Sequence, residues 1–237
     1  MNFRLSVPLT TTESQRARLV ELQQVFAQAC NALSPIVVQH ACWNRVALHH
    51  LAYRELRQRF PGLGSQMVCN AIYSVSRACR VVYQHPDSPF HHQRLAGKPL
   101  PRVLFLPQSP VYFDRHTLSL RNGEASMFTL DGRMRFQIAL SAADEERFRT
   151  QKLREIVLAQ SGGVFALTFH FVDDATASPT DEAAPSLDAR PEHAATEIPA
   201  HVHVLDDDPA AAGALPVSLP AAFARAPSSV RTSARNP

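Results

Sequence analysis

The chain has 237 residues, of which 45% are hydrophobic, so it can bury one substantial core or two small ones. Its apolar runs are far too short to span a bilayer and no charged-then-apolar leader opens it, which predicts a cytoplasmic protein without a membrane partner. Residues 1–172 carry 20 Lys and Arg against 11 Asp and Glu, whereas residues 173–237 carry 4 against 10. Arginine dominates the basic part, which suits nucleic-acid binding and is also what a GC-rich genome encodes.

The N-terminal part begins with the pattern of one strand and one helix. Residues 3–9 alternate as in a strand. Thr12 and Gln15 then form the sequence pattern of a capping box. The apolar residues that follow at helical spacing are Leu19, Leu22, Val25, Phe26, Ala29 and Leu33. Ser34 and Pro35 predict the end of this first helix and the start of the second, with Ser34 as the N-cap.

Two more helices are expected before the proline-rich loop. The second is predicted to run to about Phe60, where Pro61 and Gly62 break it. Ser65 is predicted to cap a third helix that ends near Gln84. Its predicted buried face comprises Val68, Ile72, Val75, Cys79 and Val82.

After a proline-rich loop, the apolar period changes from helical to two, as in strands. Asn122-Gly123 and Asp131-Gly132 predict hairpin turns. A charged helix over about 143–157 is expected before the last strand. The predicted strands are RVLFL (102–106), VYFD (111–114), TLSL (117–120), ASMFTL (125–130), RMRFQIAL (133–140) and VFALTFHFV (164–172).

From Asp173 onward the sequence is rich in Ala and Pro, with Phe223 as its one aromatic residue. Such a segment cannot bury enough apolar surface to offset chain entropy, so we predict a disordered C-terminal tail. We expect an α+β fold in which the first strand joins the later strands in a small antiparallel barrel, with three helices inserted. The predicted segments are the first barrel strand (1–10), the helical lobe (11–85), a linker loop (86–101), the rest of the barrel (102–172) and the tail (173–237).

Several short motifs follow one another along residues 1–172. They are an Ala-Cys-Asn run ending at Asn31, a Tyr–Leu–Arg run (Tyr53, Leu56, Arg57), a Leu-x-Ser-Gln turn (Leu63, Ser65, Gln66), an Ala-Ile pair (Ala71, Ile72) and a Leu-x-Gly-Arg hairpin (Leu130, Gly132, Arg133). In order and spacing they resemble the N-terminal half of TnpB proteins, transposon-encoded RNA-guided nucleases related to type V CRISPR effectors. The resemblance implies an OB-like wedge barrel with an inserted helical recognition lobe.

The nuclease half of that family has no counterpart in this sequence. In the family a RuvC-like domain follows the barrel, begins with a Gly-Ile-Asp-x-Gly strand and holds two metal ions through its carboxylates. Here Asp173-Asp174 has no flanking glycine, Asp206–Asp208 lies in the predicted tail, and no Cys-x-x-Cys zinc insertion is present. We therefore predict a non-enzyme without catalytic residues, metal or cofactor.

The resemblance implies a truncated TnpB-like protein that binds guide RNA from a transposon end, target DNA, or both, in the cytoplasm with the nucleoid. A full-length TnpB or a separate nuclease chain is a further implied partner. Two alternatives remain open: a decayed transposase fragment without activity, and a protein-interaction module whose helix faces bind a partner helix.

The second helix is expected to carry one nucleic-acid face. A face with arginines, histidine and tryptophan can meet phosphates and stack a base. The alternative is an ordinary solvated face, with the tryptophan packed against a neighbouring helix. The face comprises Trp43, Ala47, His50, Arg54 and Arg57, with Tyr53 added by the family motif. It lies opposite the predicted core side, which comprises Val38, Ala41, Leu48, Ala52 and Leu56.

The third helix is expected to present polar side chains to bases. Asn and Gln can pair with adenine edges and Arg with guanine, and the resemblance places this lobe near the short duplex motif that flanks the target. The alternative is an unspecialised polar surface. The residues are Ser65 and Gln66 of the family motif, then Asn70, Ser74 and Arg77.

Arginines also recur on the predicted hairpin strands. Arg133 and Arg135 are two residues apart and should therefore share one sheet face. A basic sheet face of this kind would bind guide RNA through the RNA backbone. Strand-edge arginines are also common protection against aggregation. The predicted barrel contacts are Arg115, Arg121, Arg133 and Arg135.

Overall fold

The computed structural model describes residues 3–95, 97–121, 123–172 and 199–205. All of them belong to one unit, Met1–Asp206. The described chain has a mixed α+β fold with four α-helices and antiparallel sheets.

The elements follow one another in the order strand, three helices, five strands, helix and three strands, with a short 3-10 helix at His92–Leu95. Their bounds are β1 Phe3–Pro8, α1 Glu13–His40, α2 Arg45–Arg59, α3 Ser65–Gln84, β2 Arg102–Phe105, β3 Val111–Phe113, β4 Leu118–Arg121, β5 Glu124–Thr129, β6 Gly132–Gln137, α4 Ala142–Thr150, β7 Lys152–Ser161, β8 Val164–Val172 and β9 Val202–Leu205.

The strands form three antiparallel sheets, ordered β1-β8-β7-β3, β4-β5-β6 and β2-β9. Strand β1 pairs with β8 along its whole length, from Phe3 opposite Phe171 to Pro8 opposite Ala166. This pairing confirms that the first strand joins the later strands and that α1, α2 and α3 are inserted between β1 and β2. No sheet closes on itself within the described ranges, so the fold agrees with the predicted α+β class without showing a closed barrel.

Helices α1 and α3 pack against each other and against β2 and β3. Of the apolar residues predicted for the first helix, Val25 is half-buried and the others, among them Leu19, Leu22 and Phe26, are buried. The stripe predicted for the third helix, including Val68 and Ile72, is also buried. Helical periodicity therefore located the core-facing sides of both helices correctly.

Helix α1 runs through Pro35, where the sequence predicted a break and a new helix. The ring of Pro35 is exposed, whereas Leu33 and Val37 on either side of it are buried in the core. Burial of this continuous apolar stripe outweighs the local cost of proline in a helix. The helix instead ends at His40, followed by Ala41 in the left-handed region with φ 43°.

The N-cap of α1 agrees with the sequence prediction, whereas the N-caps of α2 and α3 differ from it. The Thr12 hydroxyl accepts a hydrogen bond from the Gln15 N–H at 3.2 Å and the Gln15 side chain accepts one from the Thr12 N–H at 2.9 Å, which confirms the capping box. At α3 the N-cap is Gly64, which has no side chain to donate or accept, and Ser65 is the first helical residue. Helix α2 is capped by Asn44 rather than Ser34.

The seven predicted strands are present, whereas strand β7 was missed. The predicted charged helix ends at Thr150, and the chain continues as β7 because Ile156 and Leu158 alternate toward the core. Gly162 and Gly163, with φ 56° and 83°, make the tight turn into β8.

A ninth strand lies inside the segment predicted to be a disordered tail. Strand β9 pairs antiparallel with β2, and Val202 is buried opposite Phe105. The remainder of that predicted tail, 173–198 and 206–237, lies outside the described residues. Short alternation of apolar side chains over 202–205 was the signal for this strand.

Candidate nucleic-acid interface

Helix α2 exposes the face that the sequence predicted. Leu48, Ala52 and Leu56 are buried in one stripe at a spacing of four residues. His50 and Arg54 lie on the opposite side and are exposed, and Arg57 beside them is half-buried. The predicted core and solvent sides are therefore confirmed for the residues of α2. Val38 and Ala41, also predicted for the core side of this helix, instead lie on α1 and at its exposed C-cap.

The solvent side of α2 is strongly basic. The helix contains four arginines and one acidic residue, Glu55, and α3 adds Arg77 and Arg80 with no acidic residue. Arg54 makes no hydrogen bond or ion pair with any described residue, so its guanidinium group is available to an anion. Arg57 donates through Nη1 to the Leu63 carbonyl, which holds its side chain against the turn after α2.

Aromatic rings lie beside these arginines. The His49 and Tyr53 rings are stacked, with centroids 4.6 Å apart and planes 22° from parallel. His50 meets His49 edge-on at 5.9 Å. His49 was not among the predicted residues, although its position one helical turn before Tyr53 could have indicated the stacked pair.

Trp43 does not belong to the α2 face. Because α1 continues to His40, Trp43 falls in the connection before α2 and is half-buried. Its ring lies 5.1 Å from the Tyr83 ring, and its carbonyl accepts a hydrogen bond from Ser76 Oγ at 2.7 Å. Its placement corresponds to the alternative in which the tryptophan packs against a neighbouring helix.

Two of the polar side chains predicted to read bases from α3 instead form hydrogen bonds to β3 and to the residue that follows it. Gln66 Nε2 donates to Asp114 Oδ2 at 2.6 Å, and Asn70 Nδ2 donates to the Tyr112 carbonyl at 3.0 Å. Asn70 is buried, as is Ser74, which donates to the Asn70 carbonyl. Gln66, Asn70 and Ser74 are thus engaged within the fold, whereas Ser65, the first residue of α3, is exposed.

Arg77 belongs to the same helix–sheet contact. Its Nη1 donates to both carboxylate oxygens of Glu155 at 2.8 Å, and the Tyr73 hydroxyl donates to Glu155 Oε2 at 3.2 Å. The Glu155 side chain is only 11% exposed, whereas that of Arg77 is 45% exposed. Burial raises the pKa of Tyr112, beneath the Arg77 guanidinium, to about 12.

Strands β4, β5 and β6 form a second basic surface. Met134 and Phe136 face the core, so Arg133 and Arg135 share the outer face, as predicted. Arg121 lies on an exposed position at the end of β4.

The arginines of this sheet face are partly engaged within the protein. Arg135 pairs with Glu124 at 3.4 Å. Arg133 donates to the Ser126 carbonyl at 3.0 Å and its guanidinium lies 4.2 Å from the centroid of the Phe128 ring. Arg115 is exposed in the turn between β3 and β4.

One contact that the sequence did not indicate ties α1 to this sheet. Arg18 donates to Asp131 and, at 3.0 Å, to the Thr129 hydroxyl in the β5–β6 turn. Hydrogen bonds from Arg18 and Thr129 lower the pKa of the Asp131 carboxyl. The helical insertion and the hairpin are thereby held together.

In comparison with known proteins, no family model matches this chain and no curated protein shows significant similarity to it. Within the part of the chain that the structure describes, no helix has the length and apolar character needed to cross a membrane.

Proposed function

We propose that this protein binds nucleic acid through the solvent face of α2. The observation that carries the proposal is the position of His50, Arg54 and Arg57 opposite the buried stripe of the helix, with Glu55 as its one acidic residue. Guanidinium groups bind phosphate oxygens with paired N–H donors. The stacked His49–Tyr53 pair adds an aromatic surface next to these donors.

The outer face of β4, β5 and β6 is the proposed second contact. Arg121, Arg133 and Arg135 lie there at neighbouring strand positions. A nucleic-acid backbone can compete for Arg135, because its ion pair with Glu124 is exposed and such pairs contribute little.

The order of elements supports a TnpB-like role. The chain has one strand, then an inserted helical unit, then further strands. The resemblance implies the same order for the N-terminal half of that family. In this proposal the sheets β1-β8-β7-β3 and β4-β5-β6 correspond to the OB-like wedge barrel, and α1, α2 and α3 correspond to the recognition lobe.

The proposed activity is binding without cleavage. The sequence has no Gly-Ile-Asp-x-Gly strand of the kind that holds the catalytic metals in the family. The chain would bind guide RNA from a transposon end, or target DNA, alone or beside a nuclease chain, in the cytoplasm with the nucleoid.

A salt titration with charge-matched variants tests this proposal. Labelled single-stranded RNA would be titrated with the full chain, with the double variant Arg54→Ala/Arg57→Ala and with the control Arg4→Ala/Arg149→Ala. Arg4 and Arg149 are also exposed but lie on β1 and α4. The α2 variant should bind more weakly and lose about 1.4 from the slope of log K against log salt, since each phosphate contact to a single strand contributes about 0.7.

The control variant should keep most of the wild-type slope. An equal loss in both variants would show that only net charge matters and would remove α2 from the site. Binding of a protein partner through apolar contacts, the competing interpretation, would respond little to salt.

A further inference from the structure

The main chain of strand β2 forms hydrogen bonds to different partners along its two edges. On the side of α1, the Asn31 side chain takes the place of a neighbouring strand. Asn31 Oδ1 accepts from the Phe105 N–H at 2.7 Å, and Asn31 Nδ2 donates to the Phe105 carbonyl at 2.9 Å. This contact fixes β2 on the core and leaves its other edge to be covered by main chain.

That other edge is covered by β9 in antiparallel register. Arg102 lies opposite Leu205 and Phe105 opposite Val202. The pairing continues one residue further, where the Leu106 N–H donates to the His201 carbonyl at 3.1 Å.

A buried hydroxyl group also holds the covering strand. Ser109 is 1% exposed, and its Oγ donates to the His201 carbonyl at 3.3 Å. Gln23, also buried on α1, donates to the carbonyl of Ser109 at 3.3 Å and holds that loop in place. The edge therefore has a fixed polar group for the main chain of an added strand.

Side chains of the covering strand alternate between core and solvent. Val202 is buried and lies opposite Phe105, and Val204 is half-buried opposite Val103. His203 is exposed, and Leu205 is 42% exposed. The strand on this edge therefore places two apolar β-branched side chains, two positions apart, toward the protein and exposes the side chain between them.

Strand β9 is short and is hydrogen-bonded to a neighbouring strand along one edge only. Its four residues pair with β2 alone, whereas β8 lies between β1 and β7. Elements with few buried side chains and one pairing edge open locally at lower free energy than the core.

We propose that this edge of β2 is a binding site for an extended peptide with valine-like residues at alternate positions, and that β9 is its displaceable occupant. The peptide would add as an antiparallel strand, with main-chain hydrogen bonds supplying affinity and the two apolar positions supplying specificity. A covalently tethered occupant acts at an effective concentration on the order of millimolar, so the wild-type chain excludes weak peptides from the site.

The test uses the full chain with β9 released by Val202→Asp and Val204→Asp. A labelled peptide with the sequence of residues 199–205, PAHVHVL, is the probe, and the same peptide with both valines replaced by aspartate is its control. The released variant should bind the probe about tenfold more tightly than wild type does, because the tethered competitor is gone. It should not bind the control peptide.

Adding Ser109→Ala to the released variant should weaken probe binding, since the donor to the His201 position of the peptide is lost. Equal probe binding by wild type and a folded released variant, or none by that variant, would overturn the proposal.

Hydrogen exchange on the wild-type chain gives a second measurement that requires no substitution. The Leu106 amide, bonded to β9, should exchange through local opening faster than the Leu167 amide in the centre of β8. Equal protection of the two amides would show that β9 is not displaceable.

Discussion

Arg77 Nη1 donates to both carboxylate oxygens of Glu155 at 2.8 Å, and this contact fastens helix α3 to strand β7. The sequence assigned Arg77 to a base-reading face, but its charge is matched within the fold by a carboxylate that is only 11% exposed. Tyr73 donates to the same carboxylate. Arg77 is therefore a structural residue, and α2 is left as the principal exposed basic surface of the helical unit.

Removing the Arg77 side chain should destabilise the fold. Arg77→Ala leaves the Glu155 carboxylate poorly solvated and without its partner, and we expect a loss of about 1–2 kcal/mol in the free energy of unfolding after allowance for the exposure of Arg77. Denaturant unfolding measures this loss. Arg80→Ala is the control, because Arg80 is exposed on the same helix and forms no ion pair with the described residues. Equal stability of the two variants would contradict the assignment.

Strand β9 should contribute to stability, contrary to the expectation of a wholly disordered tail. Val202→Ala removes part of a buried side chain and should lower the free energy of unfolding by about 1–2 kcal/mol. His203→Ala, on the exposed side of the same strand, should change it by less than about 0.5 kcal/mol. A chain shortened after Val172 lacks β9 altogether and should melt at a lower temperature than the full chain. An unchanged melting temperature for that chain would show that β9 adds nothing.

Stability should fall as the solution becomes mildly acidic. Burial, together with nearby arginines, lowers the pKa of His170 on β8, although Glu155 opposes this effect. Burial and Arg77 lower that of His201 before β9. The unfolded chain takes up these protons as the pH falls through about 6.5, before the folded chain does, so protonation favours unfolding.

The contribution of these histidines is therefore complete above about pH 6.5 and is lost below it. Melting temperatures between about pH 7.5 and pH 5 would measure the effect. His201→Gln, which cannot be protonated, should flatten the profile. A variant whose melting temperature differs from wild type by the same amount at every pH would rule out His201 as a source.

Local patterns predicted the elements whose signals lie within one turn or one strand. The Thr12–Gln15 capping box and the buried stripe of α2 are such cases. Pro35 was misjudged because the burial of Leu33 and Val37 decides the conformation there, and that burial depends on distant partners. Strand β7 was missed because its charged residues follow a charged helix without a break.

The same difference between local signals and distant partners applies to the candidate interface. The face of α2 could be predicted because its buried positions recur at helical spacing within the helix itself. The partners of Gln66 and Asn70 lie directly after β3 and on β3, 48 and 42 residues away in the sequence, so helical spacing could not distinguish a packed polar face from a solvated one.

The most direct measurement is the nucleic acid that the chain carries in cells. The full chain and its Arg54→Ala/Arg57→Ala variant would be expressed beside the DNA that flanks the gene, purified in moderate salt, and any RNA bound to each would be sequenced. We expect a discrete RNA from the flanking element with the wild-type chain and much less of it with the variant. A folded wild-type chain that carries no enriched RNA and binds none when RNA is added would contradict the proposed function.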